Sequence, residues 1–144
     1  MTWEKIAKGS AALAGGLAGL MGAWSAPMTA LAAFMVIDYV TGVIVAWRGR
    51  SPKSEGGGVS SKAGFDGLIR KAFILAVILV AALLDEALGG TRSVFRTAAA
   101  LYYAANEAIS ILENAALMGV PCPAFIRSAL EAMREKGDRG EKEE

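Results

Sequence analysis

Between Val94 and Val120 the chain carries a stretch long enough to cross a bilayer, yet its polar residues are numerous and gather on one side. At about 100° per residue, Asn106, Glu107, Ser110, Glu113 and Asn114 share an arc with Arg96, Tyr102 and Tyr103. The opposite arc is Leu101, Ala104, Ala105, Ala108, Leu112 and Ala115. A hydrocarbon environment offers polar side chains no partner, so such a helix cannot stand alone in lipid. It must line water or turn its polar arc onto protein.

The rest of the chain makes the membrane its natural setting. Of 144 residues, 54% are hydrophobic and only 20% charged, and the mean hydropathy is positive. The length suits one small bundle without a second globular domain. A net charge of +1, with no basic stripe interleaved with aromatics, gives no reason to invoke nucleic acid. The single cysteine, Cys122, cannot form an internal disulfide. The absence of histidine removes the Ser-His and Cys-His nucleophile pairs and the commonest metal ligand. No catalytic residue, metal site or cofactor is therefore expected, and the run Gly57–Lys62 lacks the spacing of a phosphate-binding loop.

Four spans are expected, over about residues 10–26, 28–47, 68–88 and 94–120. The second is the clearest, with Pro27 at its first turn and Asp38 as its one charge. The third needs Leu68 and Ile69 to reach length, with Arg70 and Lys71 snorkelling from its inner end. The first is weakly hydrophobic, but Ala11, Gly15, Gly19 and Ala23 repeat at four, a small-residue ridge for close helix packing. Lys5 and Lys8 followed by apolar residues also fit a signal peptide, against which stands the second span directly after Pro27. Lysines and arginines concentrate before the first span, between the second and third, and after the last, so both termini are expected in the cytoplasm. Trp3, Trp24 and Trp47 fall at the borders, as an interfacial belt would place them.

Residues 48–65, with Gly56, Gly57 and Gly58, read as a flexible linker. After Pro123 a short amphipathic helix carries Phe125, Ile126, Leu130 and Met133, and the mixed charge from Glu135 to Glu144 reads as a solvated, disordered tail. The fold class is an all-α membrane protein: a small bundle of three to four transmembrane helices, a short cytoplasmic amphipathic C-terminal helix and a charged tail. Asp38, which costs about 2.5 to 3.5 kcal/mol at mid-span, has two readings, a pore or gating group, or a protonated carboxyl bonded across helices near Thr41. Five polar groups on the fourth span exceed what interhelical bonding usually needs, which favours water contact. The pore-lining candidates are Asp38, Thr41, Asn106, Glu107, Ser110, Glu113 and Asn114. The helix-packing candidates are Gly15, Gly19, Ala104 and Ala108.

Several runs resemble one known family. They are Asp38-Tyr39-Val40-Thr41-Gly42, Ser60-Ser61-Lys62 through Gly67-Leu68-Ile69-Arg70-Lys71, and Asn106-Glu107-Ala108-Ile109-Ser110-Ile111-Leu112-Glu113-Asn114 followed by Gly119-Val120-Pro121-Cys122-Pro123. Together they resemble phage holins of the toxin-secretion/phage-lysis type, from about Ala30 to Lys136, the last run being the specific one. The resemblance implies a holin-like transmembrane domain over residues 1–136 and a charged tail over 137–144. It implies a multi-pass protein of the bacterial cytoplasmic (inner) membrane that homo-oligomerises into a hole. An endolysin or a toxin would pass through, an antiholin would be a further partner, and neither cofactor nor substrate is required. Two rivals keep the same spans: a non-pore membrane partner such as a holin antagonist or scaffold, and a small proton-coupled transporter using Asp38 and Glu107. The latter lacks the inverted repeats or broken helices that mark such sites. If the glycine ridge packs copies together, replacing Gly15 and Gly19 with leucine will change the ladder of species trapped by chemical crosslinking in membranes.

Overall fold

The computed structural model describes residues 2–20, 24–90 and 92–140, and among these it is helical with no strand. Five α-helices follow in order: α1 Trp3–Leu20, α2 Ala26–Trp47, α3 Ser61–Ala87, α4 Val94–Leu117 and α5 Ala124–Gly140. Local signals set their ends. Pro27 opens α2, where a missing N–H removes no bond. The Ser60 hydroxyl accepts from the Ala63 N–H at 3.3 Å and starts α3 four residues inside the segment read as linker. α3 and α4 both stop at a glycine in the left-handed region, Gly89 (φ 66°) and Gly119 (φ 85°). In each case the two following-turn amides return to the last carbonyls, Gly89 N to Glu86 O and Gly90 N to Asp85 O, Gly119 N to Ala116 O and Val120 N to Ala115 O.

α4 is the centre of the bundle. It packs against α2, α3 and α5, whereas α2 and α3 meet each other only slightly. α2 runs parallel to α4 and α3 antiparallel, so the 48–60 and 118–123 connections lie at one end and the α3–α4 turn at the other. The apolar core is narrow: Met28, Leu31 and Met35 of α2, Ile74 and Ile78 of α3, and Ala100 and Ala104 of α4, flanked by Phe34, Ala99 and Tyr103. Alanine on α4 lets the larger side chains of both neighbours approach its backbone. The outer faces of α2 and α3, among them Val36, Val40, Phe73 and Val80, are exposed, as expected for surfaces that meet lipid.

Two helices, Ala26–Trp47 and Ser61–Ala87, are long and apolar enough to cross a membrane. α4 carries Arg96, Glu107 and Glu113 within its length, and α1 carries Glu4, Lys5 and Lys8. Every α1 side chain that is described is exposed, and a Cβ added at Gly15 or Gly19 would meet nothing within 4 Å. The glycine ridge thus faces no other helix of the described chain, while Ala104 and Ala108 are buried. Part of the expected first span, residues 21–23, lies outside the described residues.

One expectation is corrected. Residues 48–60 form an ordered loop rather than a flexible linker. The Ser51 N–H donates to Gly57 O at 2.9 Å, the Ser54 hydroxyl donates to Gly58 O, and Glu55–Gly57 forms a 3-10 turn. Gly57 lies so close to the Gly49 carbonyl that no side chain would fit there. The C-terminal helix continues to Gly140, past the point where the charge pattern suggests a disordered tail; residues 141–144 are outside the described residues.

Asp85 ties the α3–α4 hairpin. Its carboxylate accepts the Phe95 and Arg96 N–H groups, both at 2.9 Å, and so caps α4 from the preceding helix, because the N-cap residue Ser93 makes no side-chain cap bond. Loss of a cap of this kind costs on the order of 1–2 kcal/mol. Asp85→Ala is expected to lower the thermal unfolding midpoint of the detergent-solubilised protein by that equivalent, followed by far-UV circular dichroism.

Candidate functional site

The buried stripe of α2 runs Met28, Leu31, Met35, Asp38 and Val45, and that of α3 runs from Ile74 and Ile78 through Ala81 and Ala82 to Asp85. Extending the α3 stripe one turn toward its start brings in Lys71. These two stripes and the inward side of α4 place three charges together. The Lys71 ammonium donates to Asp38 Oδ2 at 2.8 Å and to Glu107 Oε2. The three side chains are at most 13% exposed. A single cation thus joins three helices through two carboxylates, and the fully ionised cluster carries one net negative charge.

Asn114, two turns further along α4, locks the same junction. Its side-chain amide donates to Thr41 Oγ1 at 3.0 Å and lies 3.4 Å from Asp38 Oδ1, while the Thr41 hydroxyl donates back to the Asp38 carbonyl at 3.1 Å. Arg50, just past α2, donates to the Leu117 carbonyl at 3.1 Å and holds the end of α4. Three charges set singly in the middle of a bilayer would cost roughly 8–10 kcal/mol on insertion scales. Mutual pairing and hydrogen bonding inside the bundle remove most of that penalty, provided every partner stays in place.

Beside the cluster is a cavity of about 750 Å³, walled by α2, α3, α4 and the 48–60 loop. Asp38, Asn106, Glu107, Ser110 and Asn114 line it, together with Lys71. Of the seven pore-lining candidates, five therefore line one cavity. Thr41 stands behind it, bonded to Asn114, and Glu113 points away, exposed. The polar arc of α4 does not act as one surface. Arg96 turns to Ser93 in the α3–α4 turn, at 2.8 Å, Tyr103 packs on the apolar core, and Tyr102 bonds to Asp138 of α5.

Lys71 is the residue that sequence reasoning misplaced. It does not snorkel to the interface but turns inward to Asp38 and Glu107. The signal was present: two carboxylates in membrane-length segments require a cation, and Lys71 precedes Ile74 and Ile78 by three and seven residues, on the same helical face. Lys71→Met is expected to destabilise the bundle by about 3–5 kcal/mol by stranding two buried carboxylates. Adding Asp38→Asn and Glu107→Gln should restore most of that loss, measured as denaturant midpoints in detergent.

Comparison with known proteins places these residues in a recognised context. A model of the bacteriophage holin family matches residues 15–135. A Clostridium perfringens protein with no assigned function is 40% identical over 119 residues, 83% of each chain. A 14.9 kDa protein encoded in the nagH 3′ region of Clostridium perfringens is 39% identical over 117 residues, covering 81% of this chain and 83% of that one. A probable holin of Bacillus phage phi105 is 34% identical over 104 residues, 72% of this chain and 71% of that one. No solved structure matches.

Proposed function

Because the chain belongs to the bacteriophage holin family, a family of membrane proteins without enzymatic activity, we propose that it is a holin that opens a hole in the bacterial cytoplasmic membrane. Copies of the chain assemble there, and an endolysin or a toxin is the cargo that passes. The observation that carries this reading is the polar cavity, in which Asp38, Asn106, Glu107, Ser110 and Asn114 gather between two helices of membrane length. A span with so many inward polar groups has little use for them in a permanently closed bundle.

The paired state of those groups gives a mechanism. In a single chain, Lys71 neutralises Asp38 and Glu107, and the polar side of α4 is turned onto α2 and α3. No hydrophilic path then faces lipid, and membrane integrity is kept while copies are few. When copies crowd, α4 becomes the third span and α1 a fourth, and the cavity walls of neighbouring chains merge into one lumen. Water then hydrates the ions that the closed chain had to pair, so the desolvation cost carried by the closed cluster is recovered on opening. Opening is cooperative because a single chain cannot supply a wet surface large enough to hydrate. Both termini lie in the cytoplasm, in accord with the distribution of lysines and arginines.

The same inward pairing supports a second reading, in which the chain is a non-pore partner such as a holin antagonist. Induction in a bacterium, with membrane potential and release of a folded cytoplasmic enzyme followed together, separates the two. Abrupt depolarisation with enzyme release is expected. Depolarisation without release would reduce the reading to a small ion path, and no effect at confirmed membrane expression would favour the antagonist. The Glu107→Leu, Glu113→Leu double variant is expected to insert as the parent does and to abolish release; unchanged release would remove both carboxylates from the lumen.

A further inference from the structure

α5 lies antiparallel along α4. The two are joined at one end by residues 118–123 and at the other by a hydrogen bond from the Tyr102 hydroxyl to Asp138 Oδ1 at 2.8 Å. From Leu117 back to Tyr102 is about 22 Å of helix at 1.5 Å per residue. Gly137 is pressed so close to the Tyr102 ring that a side chain would not fit. Ala105 and Ile109, on the Tyr102 side of α4 and away from Ala100 and Glu107, are 1% and 7% exposed, and neither belongs to the core shared with α2 and α3. α5 is what covers them.

That cover is incompatible with α3 crossing a bilayer at the same time. Tyr102 lies between Ala100 and Ala104, which pack on Ile74 and Ile78 in the aliphatic middle of α3. At this depth α3 presents Phe73, Val77 and Val80 outward, while α5 presents Arg134, Glu135 and Lys136, all exposed. One lipid environment cannot accept both faces. The residues beneath α5 have a spacing of their own. Ala98, Tyr102, Ala105, Ile109, Leu112 and Ala116 recur at four, three, four, three and four, the seam on which one helix packs against another of the same kind. α5 meets it with Ile126, Leu130, Met133 and Gly137 at matching intervals, but Ile126 and Met133 remain 37% and 40% exposed, a loose closure.

We propose that α5 is a detachable cover, and that the α4 seam from Ala98 to Ala116 is the surface on which a second copy of this chain docks through its own α4. When α2 and α3 enter the bilayer, α5 swings about residues 118–123 into the aqueous phase. The uncovered seam, with alanines for close approach and Tyr102 as a polar group that lipid cannot satisfy, is closed by the matching seam of another copy. This rests on the holin reading only in taking α2 and α3 as spans and in expecting copies to assemble.

The test uses the full chain with Cys122→Ser and the pair Tyr102→Cys, Gly137→Cys, oxidised in detergent and then reconstituted into phosphatidylethanolamine–phosphatidylglycerol vesicles holding a folded enzyme. Assembly is read by energy transfer between donor- and acceptor-labelled populations, and release is read separately. The locked protein is expected to show loss of energy transfer, which returns on reduction. Equal transfer from locked and reduced protein would overturn the proposal, as would failure of the disulfide to form in detergent. Gly137→Leu, which pushes α5 away without altering α4, is expected to lower the protein density at which transfer appears; an unchanged density would count against the cover. If transfer responds to the lock but reduced protein releases no enzyme, the docking surface stands and the holin reading fails.

Discussion

Lys71 holds the bundle together at the point where it is weakest. α2 and α3 scarcely touch, and each is bound to the rest through α4, whose facing residues are mostly alanine and give a thin apolar core. One ammonium shared by Asp38 and Glu107 links all three helices at the edge of that core. In a low-dielectric setting the attraction is strong, but so is the penalty for any partner that is lost. The cluster is better understood as a conditional lock than as a source of net stability. Its partners are secure together and costly apart.

The ends of the helices make that lock geometrically possible. Asp85 caps α4 from α3, and the left-handed glycines at 89 and 119 turn the chain sharply after each helix. Together they bring α3 and α4 back to back with Lys71 level with Glu107. At the other end Arg50 grips the α4 terminus, and the ordered 48–60 loop closes over the cavity. The polar cavity is thus bounded by α2, α3, α4 and this loop. The chain belongs to the bacteriophage holin family, and the polar residues of this cavity fall within the part that the family matches.

α4 has neighbours on three sides. α2, α3 and α5 each claim part of its circumference, which is why its polar arc is divided among an ion cluster, a turn and an amphipathic helix. The α5 contact is the one that a bilayer would contest, and it covers a heptad-spaced seam. Closure within one chain and association between chains draw on the same helix.

Much of this was legible in the residues. The apolar runs of α2 and α3, the polar loading of α4, the amphipathic character of α5 and the family itself follow from periodicity and motif, because these are local properties of the chain. The pairing of Asp38, Thr41 and Asn114 was half visible, in that a carboxyl at mid-span demands a partner without naming one. What only the tertiary structure decided was which faces meet: that Lys71 turns inward rather than to the interface, that Glu113 is left outside while Glu107 is buried, that Asp85 serves as a cap, and that α5 folds back to Tyr102. Helical periodicity determines which side chains share a face, but several faces of α4 could satisfy the same hydrophobic and electrostatic demands, and only the turns at Gly89 and Gly119 settle which neighbour each one receives.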